Sequence, residues 1–189
     1  MKTVPAPGAP RAIVVMGVAG SGKTTLARAL AAHYGHVFLD ADDFHDPLAK
    51  ARMAAGAPLT DAQRAPWVDA LAVELRRQAD AGRSCVLAFS GLRAAHRQRL
   101  RQSGVPLRFV FLHAAPPVIA ARLASRTGHF MPPQLLDSQL QALQSPLAEP
   151  DVVAVDVGDP QSLVLQRVIR ALEGAWRGGG PFAAPAALP

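Results

Sequence analysis

Short apolar runs alternate with helical stretches along most of the chain. The runs are continuous and end at turn residues, which is typical of buried strands in a parallel sheet with helices on both faces. The strands are expected at residues 12–16, 37–40, 85–89, 107–112 and 152–157. The helices are expected at residues 24–34, 61–81, 93–102, 116–125, 133–144 and 160–172. This alternation predicts an α/β fold.

The ends of the chain differ in composition from its body. Residues 12–173 contain all the predicted elements, so we expect them to form one domain. Residues 1–11 and 174–189 are rich in Gly, Pro and Ala, and we expect both to be disordered. Within the domain, Asp61 is the expected N-cap of the long helix and Gly82 follows its end.

Composition excludes several classes of protein. Half of the 189 residues are hydrophobic and 18% are charged, which excludes disorder as the main state. No apolar run approaches the roughly 18 residues of a membrane span, and Met1 to Pro10 does not resemble a secretory signal. A single cysteine, Cys85, excludes a disulfide framework, and we expect it to be a buried strand residue. We therefore expect a cytoplasmic protein without a membrane partner.

The net charge of +6 raises the question of nucleic-acid binding. Lys2, Arg11 and Arg177 lie in the ends of the chain, which leaves the body a net charge of +3. No RNA-binding or zinc-finger signature accompanies this modest charge. A small anionic substrate explains it equally well, so we expect no nucleic-acid partner.

A phosphate-binding loop follows the first strand. Its pattern G-x-x-x-x-G-K-[ST] lies between a buried strand and a helix, as the motif requires. Lys23 is expected to reach the β and γ phosphates of ATP, and Thr24 to coordinate Mg²⁺. The predicted nucleotide-binding residues are Gly17, Val18, Ala19, Gly20, Ser21, Gly22, Lys23, Thr24 and Thr25.

The rest of the sequence narrows the class of nucleotide-binding protein. The chain contains no asparagine, so it lacks the Asn-Lys-x-Asp box of Ras-type GTPases. It also has little room for the accessory elements of a motor or transport ATPase. A small-molecule kinase remains the leading hypothesis.

Acidic and basic candidates for kinase chemistry follow the second strand and a later helix. Asp40 and Asp42 lie at a strand end, where open α/β sheets bind ligands. Asp40 could support the metal and Asp42 could accept the proton of the acceptor hydroxyl, unless these acids only cap the next helix. Arg122 and Arg126 share one helix face and could contact the ATP phosphates when a lid closes.

Several sequence blocks resemble the gluconokinases, a family of P-loop kinases related to shikimate kinases and nucleoside-monophosphate kinases. The most specific blocks are Gly56-Ala-Pro-Leu-Thr-Asp61, Arg64-Ala-Pro-Trp67 and Gly128-His-Phe-Met-Pro132. The resemblance implies ATP-dependent phosphorylation of D-gluconate on its 6-hydroxyl. It also implies a three-layer fold with sheet order 2-3-1-4-5, a substrate flap near 44–82, a small mobile lid near 122–140, and often a homodimer.

The resemblance also implies roles for individual residues. Lys23, Asp42 and Arg126 would be catalytic, while Met53 and Trp67 would pack the flap. The acceptor would be bound by Asp42 together with His45, Arg64, Arg93, Arg97, His129 and Gln139. Arginine suits a carboxylate because its planar fork donates two parallel hydrogen bonds.

The block around the third strand departs from the family pattern. It reads Phe89-Ser-Gly-Leu-Arg93 and then His96-Arg97-Gln98, where the family usually has Lys at 93, Tyr at 96 and Asp at 98. Gln144 stands where Glu is common. Two alternatives therefore remain: a kinase of another small acceptor, such as a related sugar acid or a shikimate-like compound, and a nucleotide-binding protein with weak or no turnover. His33, His36, His96 and His113 form no metal cluster by spacing and are expected at the surface or strand edges.

Overall fold

The computed structural model describes residues 10–54, 59–124 and 133–178. The strands are β1 (Ala12–Met16), β2 (Val37–Asp40), β3 (Cys85–Ala88), β4 (Leu107–His113) and β5 (Val152–Asp156). The helices are α1 (Lys23–Tyr34), α2 (Pro47–Ala54), α3 (Asp61–Asp80), α4 (Ala94–Arg101), α5 (Pro116–Ala124), α6 (Pro133–Ala142) and α7 (Gln161–Gly178). A 3-10 turn at Ala41–Phe44 follows β2.

The five strands form one parallel sheet in the order β2-β3-β1-β4-β5. This confirms the predicted order 2-3-1-4-5. Strand β1 lies at the centre, where Val14 is paired with Leu87 of β3 and with Phe109 of β4. All five residues of β1 are buried, because helices cover the sheet on both sides.

Alternate residues of the central strand point into two separate cores. Ile13 and Val15 pack on one side with side chains from α1 and α7, including Leu30 and Val168. Val14 packs on the other side with α3 and α4 residues, including Leu71, Leu75 and Leu100. The three layers are therefore two sets of helices around one sheet, as the apolar pattern predicts.

Side-chain caps fix the starts of two helices within residues 44–82, the segment that we expect to form the substrate flap. Thr60, not Asp61, is the N-cap of α3: its hydroxyl accepts from the Gln63 amide, and the Gln63 side chain accepts from the Thr60 amide. This reciprocal capping box stabilises the helix start. Asp61 is the first helical residue, so the expected N-cap was wrong by one position. Asp46 caps α2 by accepting from the Ala49 amide at 2.8 Å.

Helix α7 continues past the predicted end of the domain at residue 173. Ala175 is buried, and Trp176 packs edge-on against Tyr34 with the Arg11 guanidinium 4.4 Å from the centre of its indole ring. These contacts anchor residues that the composition assigned to disordered ends. The expected disorder of 1–9 and 179–189 lies outside the described residues, and so does the middle of the predicted lid (122–140), at residues 125–132.

The helices of the described ranges differ in length and in apolar character. None of them has both the length and the apolar character that crossing a bilayer requires.

Candidate active site

The carboxyl ends of β1, β2 and β3 bring the predicted site residues to one edge of the sheet. The phosphate-binding loop follows β1, the acidic turn follows β2, and the segment carrying Arg93 follows β3. The amide of Gly17 donates to the carbonyl of Ser90 at 3.1 Å, which joins the first of these loops to the third. Ligands of open α/β sheets bind at this edge.

Close packing requires glycine at two positions of the phosphate-binding loop. A Cβ at Gly17 would lie 2.5 Å from the carbonyl oxygen of Leu112. A Cβ at Gly20 would lie 2.7 Å from Cγ of Leu123, and both glycines have a positive φ. The loop therefore lies directly against β4 and α5.

The loop ends at the N-terminus of α1, where unpaired backbone N–H groups and the helix dipole favour an anion. Lys23 is the first residue of this helix, and its Nζ donates to the carbonyl of Val18 at 3.0 Å. The ammonium group thus folds back across the loop. The arrangement suits the phosphates of a nucleotide.

Thr24 and Asp40 form the candidate metal site. The Thr24 hydroxyl donates to Oδ2 of Asp40 at 3.3 Å, and Oδ1 of Asp40 accepts from the Asp42 amide at 3.2 Å. A hydroxyl and a carboxylate are hard oxygen donors that fit Mg²⁺, which usually takes one or two carboxylates and completes its shell with phosphates and water. The described residues contain no group of three or more His, Cys, Asp or Glu arranged for a metal.

A cavity of about 200 Å³ adjoins the phosphate-binding loop. Drug-sized ligands occupy cavities of roughly 300–1,000 Å³, so this volume suits a single ring system such as a nucleotide base. The Arg122 guanidinium donates to the carbonyl of Val157 at its border. The lining residues include Ser21, Gly22, Thr25, Leu112, Arg122 and Gln161.

His45 lies on the acceptor side of the acidic turn. Its ring stacks on Trp67, with centroids 4.1 Å apart and planes 15° apart, and its Nε2 is 4.0 Å from Oδ1 of Asp42. Trp67 is fixed in turn because its Nε1 donates to the Ala41 carbonyl at 2.7 Å. Burial is the main cause that lowers the pKa of His45, so the ring is neutral near pH 7. Asp42 itself is exposed, with 88% of its side chain accessible.

Arg64 and Arg93 share one carboxylate, although they belong to different parts of the chain. Nη1 of Arg64 is 3.3 Å from Oδ1 of Asp61, and Nη2 of Arg93 is 3.7 Å from Oδ2 of the same residue. Nε of Arg93 is buried and has no hydrogen-bond partner among the residues that the structure describes. The two guanidinium groups therefore form a cationic site of the kind that binds a carboxylate.

His96 is a site residue that sequence reasoning missed. We expected it at the surface, but it is half-buried with its ring 6.5 Å from the ring of Phe89. Burial lowers its pKa, and Arg64, Arg93 and Arg97 act in the same direction while Asp61 raises it. The protonation of His96 is therefore coupled to the charges of Asp61 and of the arginine pair. Two signals could have found it: its position three residues after Arg93 on a predicted helix, and the departure from the family pattern, which usually has Tyr there.

Arg97 is not placed to bind an acceptor. Its side chain is fully buried, and Nε donates to both carboxylate oxygens of Glu149 at 2.9 and 3.1 Å. Its remaining nitrogens donate to the carbonyls of Gly91, Leu92 and Gln144. The expected acceptor-binding role is therefore replaced by a structural one, because every donor group of the guanidinium already has a partner.

The remaining predicted acceptor and lid residues divide into two groups. Oε1 of Gln139 accepts from the amide of Ala19 at 2.7 Å, so this residue contacts the phosphate-binding loop. Arg126 and His129 lie outside the described residues.

Cys85 is buried on β3, as expected, and burial raises its pKa to about 11, which makes it a poor nucleophile.

Known proteins resemble the chain over most of its length. A family model described as an AAA domain matches residues 13–150. The gluconokinase of Gluconobacter oxydans (strain 621H) is 42% identical over 161 residues, which are 85% of this chain and 90% of that protein. The thermoresistant gluconokinase of Escherichia coli (strain K12) is 35% identical, with 85% and 92% covered.

A solved structure extends the similarity to the fold. The crystal structure of a gluconokinase from Sinorhizobium meliloti 1021 matches with a TM-score of 0.82 at 39% identity. The match covers 89% of this chain and 95% of that one. Sequence and fold therefore agree with the resemblance carried by the specific sequence blocks. The chain belongs to the gluconokinase family of P-loop kinases.

Proposed function

We propose that this protein transfers the γ-phosphoryl group of ATP to the 6-hydroxyl of D-gluconate, giving 6-phosphogluconate and ADP. Family membership supports this proposal, and so does one chain of contacts across the site. These contacts link Thr24 to Asp40, Asp40 to the amide of Asp42, and Asp42 to His45. They connect the nucleotide loop to the neighbourhood of the arginine pair.

The nucleotide half of the reaction uses the loop between β1 and α1. The loop amides and Lys23 would bind the phosphates, and the base would enter the cavity bordered by Arg122. Thr24 and Asp40 would hold Mg²⁺, which when bound neutralises charge on the β and γ phosphates. Arg126 is proposed to add positive charge at the transferred group.

The acceptor half uses Arg64 and Arg93 to bind the carboxylate of gluconate. Asp61 currently provides the carboxylate between them, so the substrate would replace it there. His45 would hydrogen-bond the polyol, because a neutral imidazole offers one donor and one acceptor, and its Nδ1 has no partner within the described ranges of the chain. His129 is proposed to contribute from the lid.

Phosphoryl transfer requires the 6-hydroxyl to lose its proton as its oxygen attacks the γ-phosphorus. Asp42 is the proposed acceptor of this proton, since its carboxylate is exposed at the edge of the sheet next to the Asp40 site. The new bond forms between the 6-oxygen and phosphorus, while the bond to the bridging oxygen breaks. ADP leaves with the electron pair of that bond.

The altered block after β3 favours one related alternative. The charge of His96 is coupled to both arginines, and the family usually has Tyr at this position, so the carboxylate end of the pocket differs in shape and hydrogen bonding. A sugar acid related to gluconate is therefore the second candidate acceptor. A cytoplasmic location and a homodimer, both implied by the family, stay predictions.

A coupled ADP-release assay over a panel of acceptors tests the proposal. The panel contains D-gluconate, other six-carbon sugar acids, shikimate, and glucitol as a matched polyol without a carboxylate. We expect turnover with gluconate or another sugar acid and at least a hundredfold lower kcat/KM with glucitol. Absence of turnover with every sugar acid would contradict the proposal, and equal turnover with glucitol would exclude the role of the arginine pair.

A further inference from the structure

The peptide group between Val18 and Ala19 is held on both sides. Its carbonyl accepts from Nζ of Lys23 at 3.0 Å, and its N–H donates to Oε1 of Gln139 at 2.7 Å. A peptide group is planar and rigid, so these two bonds fix one plane in the middle of the phosphate-binding loop. Gln139 and the loop lysine are therefore neighbours across a single peptide.

This peptide lies in the half of the loop that faces the acceptor. Gly17, just before it, donates to the carbonyl of Ser90 in the segment that leads to Arg93. The other half of the loop leads to α1. Because Lys23 serves the β and γ phosphates in this motif, and the γ phosphate must point toward the acceptor, the terminal phosphate belongs beside Val18 and Ala19.

Helix α6 is firmly anchored where it carries Gln139. Leu136 is buried in one core, and Leu143 packs against both. Gln144 then ties the same segment to the acceptor loop: its amide donates to Leu92 at 2.8 Å, and its Oε1 accepts from Ala94 at 2.7 Å. Gln139 is thus held between the phosphate-binding loop, which would bind the nucleotide, and the segment around Arg93, which would bind the acceptor.

We propose that Gln139 binds the terminal phosphate of the nucleotide through Nε2, while its Oε1 holds the loop at Ala19. This inference rests on the proposed kinase function and replaces the acceptor-binding role that the family resemblance implies. A side-chain amide has two N–H donors, and no hydrogen bond from Nε2 to another described residue is present. Since Oε1 is fixed on the loop, these donors lie beside it.

Nucleotide binding by three variants tests this role without an acceptor. Calorimetry would compare ADP with the non-hydrolysable ATP analogue AMP-PNP, both with Mg²⁺, for wild type, Gln139→Leu, Gln139→Glu and Gln141→Leu. Gln139→Glu keeps an acceptor for the Ala19 N–H but removes the donor and adds negative charge. Gln141 is exposed on the same helix, so its variant is the matched control.

We expect the affinity for AMP-PNP to fall about tenfold in Gln139→Leu, the effect of losing one hydrogen bond to a charged group, and further in Gln139→Glu. The affinity for ADP should stay within about twofold, because ADP lacks the terminal phosphate. Gln141→Leu should bind both nucleotides normally.

Two results would overturn the inference. Equal weakening of ADP and AMP-PNP would mean that Gln139 only supports the loop, and unchanged binding of both would mean that it does neither. If Gln139→Leu failed to fold, Gln139→Glu would carry the test. A protein that binds both nucleotides but phosphorylates no sugar acid would refute the proposed function and leave this result interpretable.

Discussion

Thr24 and Asp40 are joined by a hydrogen bond of 3.3 Å between the hydroxyl and Oδ2, although they lie sixteen positions apart in the sequence. The contact exists because β1 and β2 end at the same edge of the sheet, with β3 between them. It connects the nucleotide loop to the acidic turn.

The Thr24–Asp40 pair predicts a specific dependence on Mg²⁺. Asp40→Asn removes the negative charge from the candidate site, so we expect activity to require at least tenfold more Mg²⁺, because this metal prefers carboxylate ligands. Thr24→Ser keeps the hydroxyl and should retain most activity. Initial rates over a magnesium titration provide the measurement. An unchanged magnesium requirement in Asp40→Asn would exclude Asp40 as a ligand.

Asp42 is expected to act in the chemical step. Asp42→Asn keeps the size of the side chain but removes the proton acceptor, so kcat should fall by a factor on the order of 10²–10⁴. The KM values for ATP and gluconate should change little. Steady-state kinetics would measure both effects, with Asp43→Asn as the control in the same turn. A variant with wild-type kcat would remove Asp42 from this role.

Arg93 is expected to determine affinity for an acidic acceptor. Arg93→Gln removes one of two guanidinium groups that face Asp61, so the KM for gluconate should rise about tenfold or more. The KM for ATP should be unaffected. Arg76→Gln is the matched control, because Arg76 is exposed and pairs with Asp80 on α3. An equal rise of both KM values would argue against a carboxylate site here.

Arg97 is expected to stabilise the fold. Arg97→Leu removes one of the two arginines that contact Glu149, leaving Arg101, and it leaves three backbone carbonyls without this donor, so the free energy of unfolding should fall by about 3–5 kcal/mol. Arg99 lies on the same helix as Arg97 and forms an exposed pair with Asp69 of α3. Arg99→Gln breaks this pair and should have a clearly smaller effect. Urea unfolding would compare them. Equal losses would show that the buried network has no special weight.

The burial of His45 is expected to make the stability of the fold depend on pH. Burial lowers the pKa of His45 in the folded state, so the unfolded chain binds its proton more tightly. Its contribution is therefore fully present above about pH 6.5, the ordinary value for histidine, and is lost as the pH falls. We expect a smaller loss of stability between pH 7.5 and 5.5 in His45→Phe, which can still stack on Trp67.

Urea unfolding at both pH values would measure this difference. His36 and His96 have pKa values lowered mainly by burial, so some pH dependence should remain in the variant. The same pH dependence in wild type and His45→Phe would contradict the prediction.

The sequence by itself determined the sheet and the nucleotide loop. Five apolar runs predicted five strands, because buried parallel strands and a phosphate-binding loop depend on local residue types. The order of the strands came from the family resemblance. The pairing of Asp40 with the loop followed from its place at a strand end. The exact helix starts were less certain: Thr60 competes with Asp61 as a cap, and only the backbone geometry decides between them.

Only the tertiary structure decided which charged side chains face the cleft. Arg93 and Arg97 lie four residues apart, yet one meets Asp61 at the site while the other is buried against Glu149, a partner 52 residues away. Trp176 likewise holds the end of α7 through Tyr34 and Arg11, which the local composition could not indicate. The direction of a side chain depends on partners distant in sequence, and these become neighbours only when the chain folds.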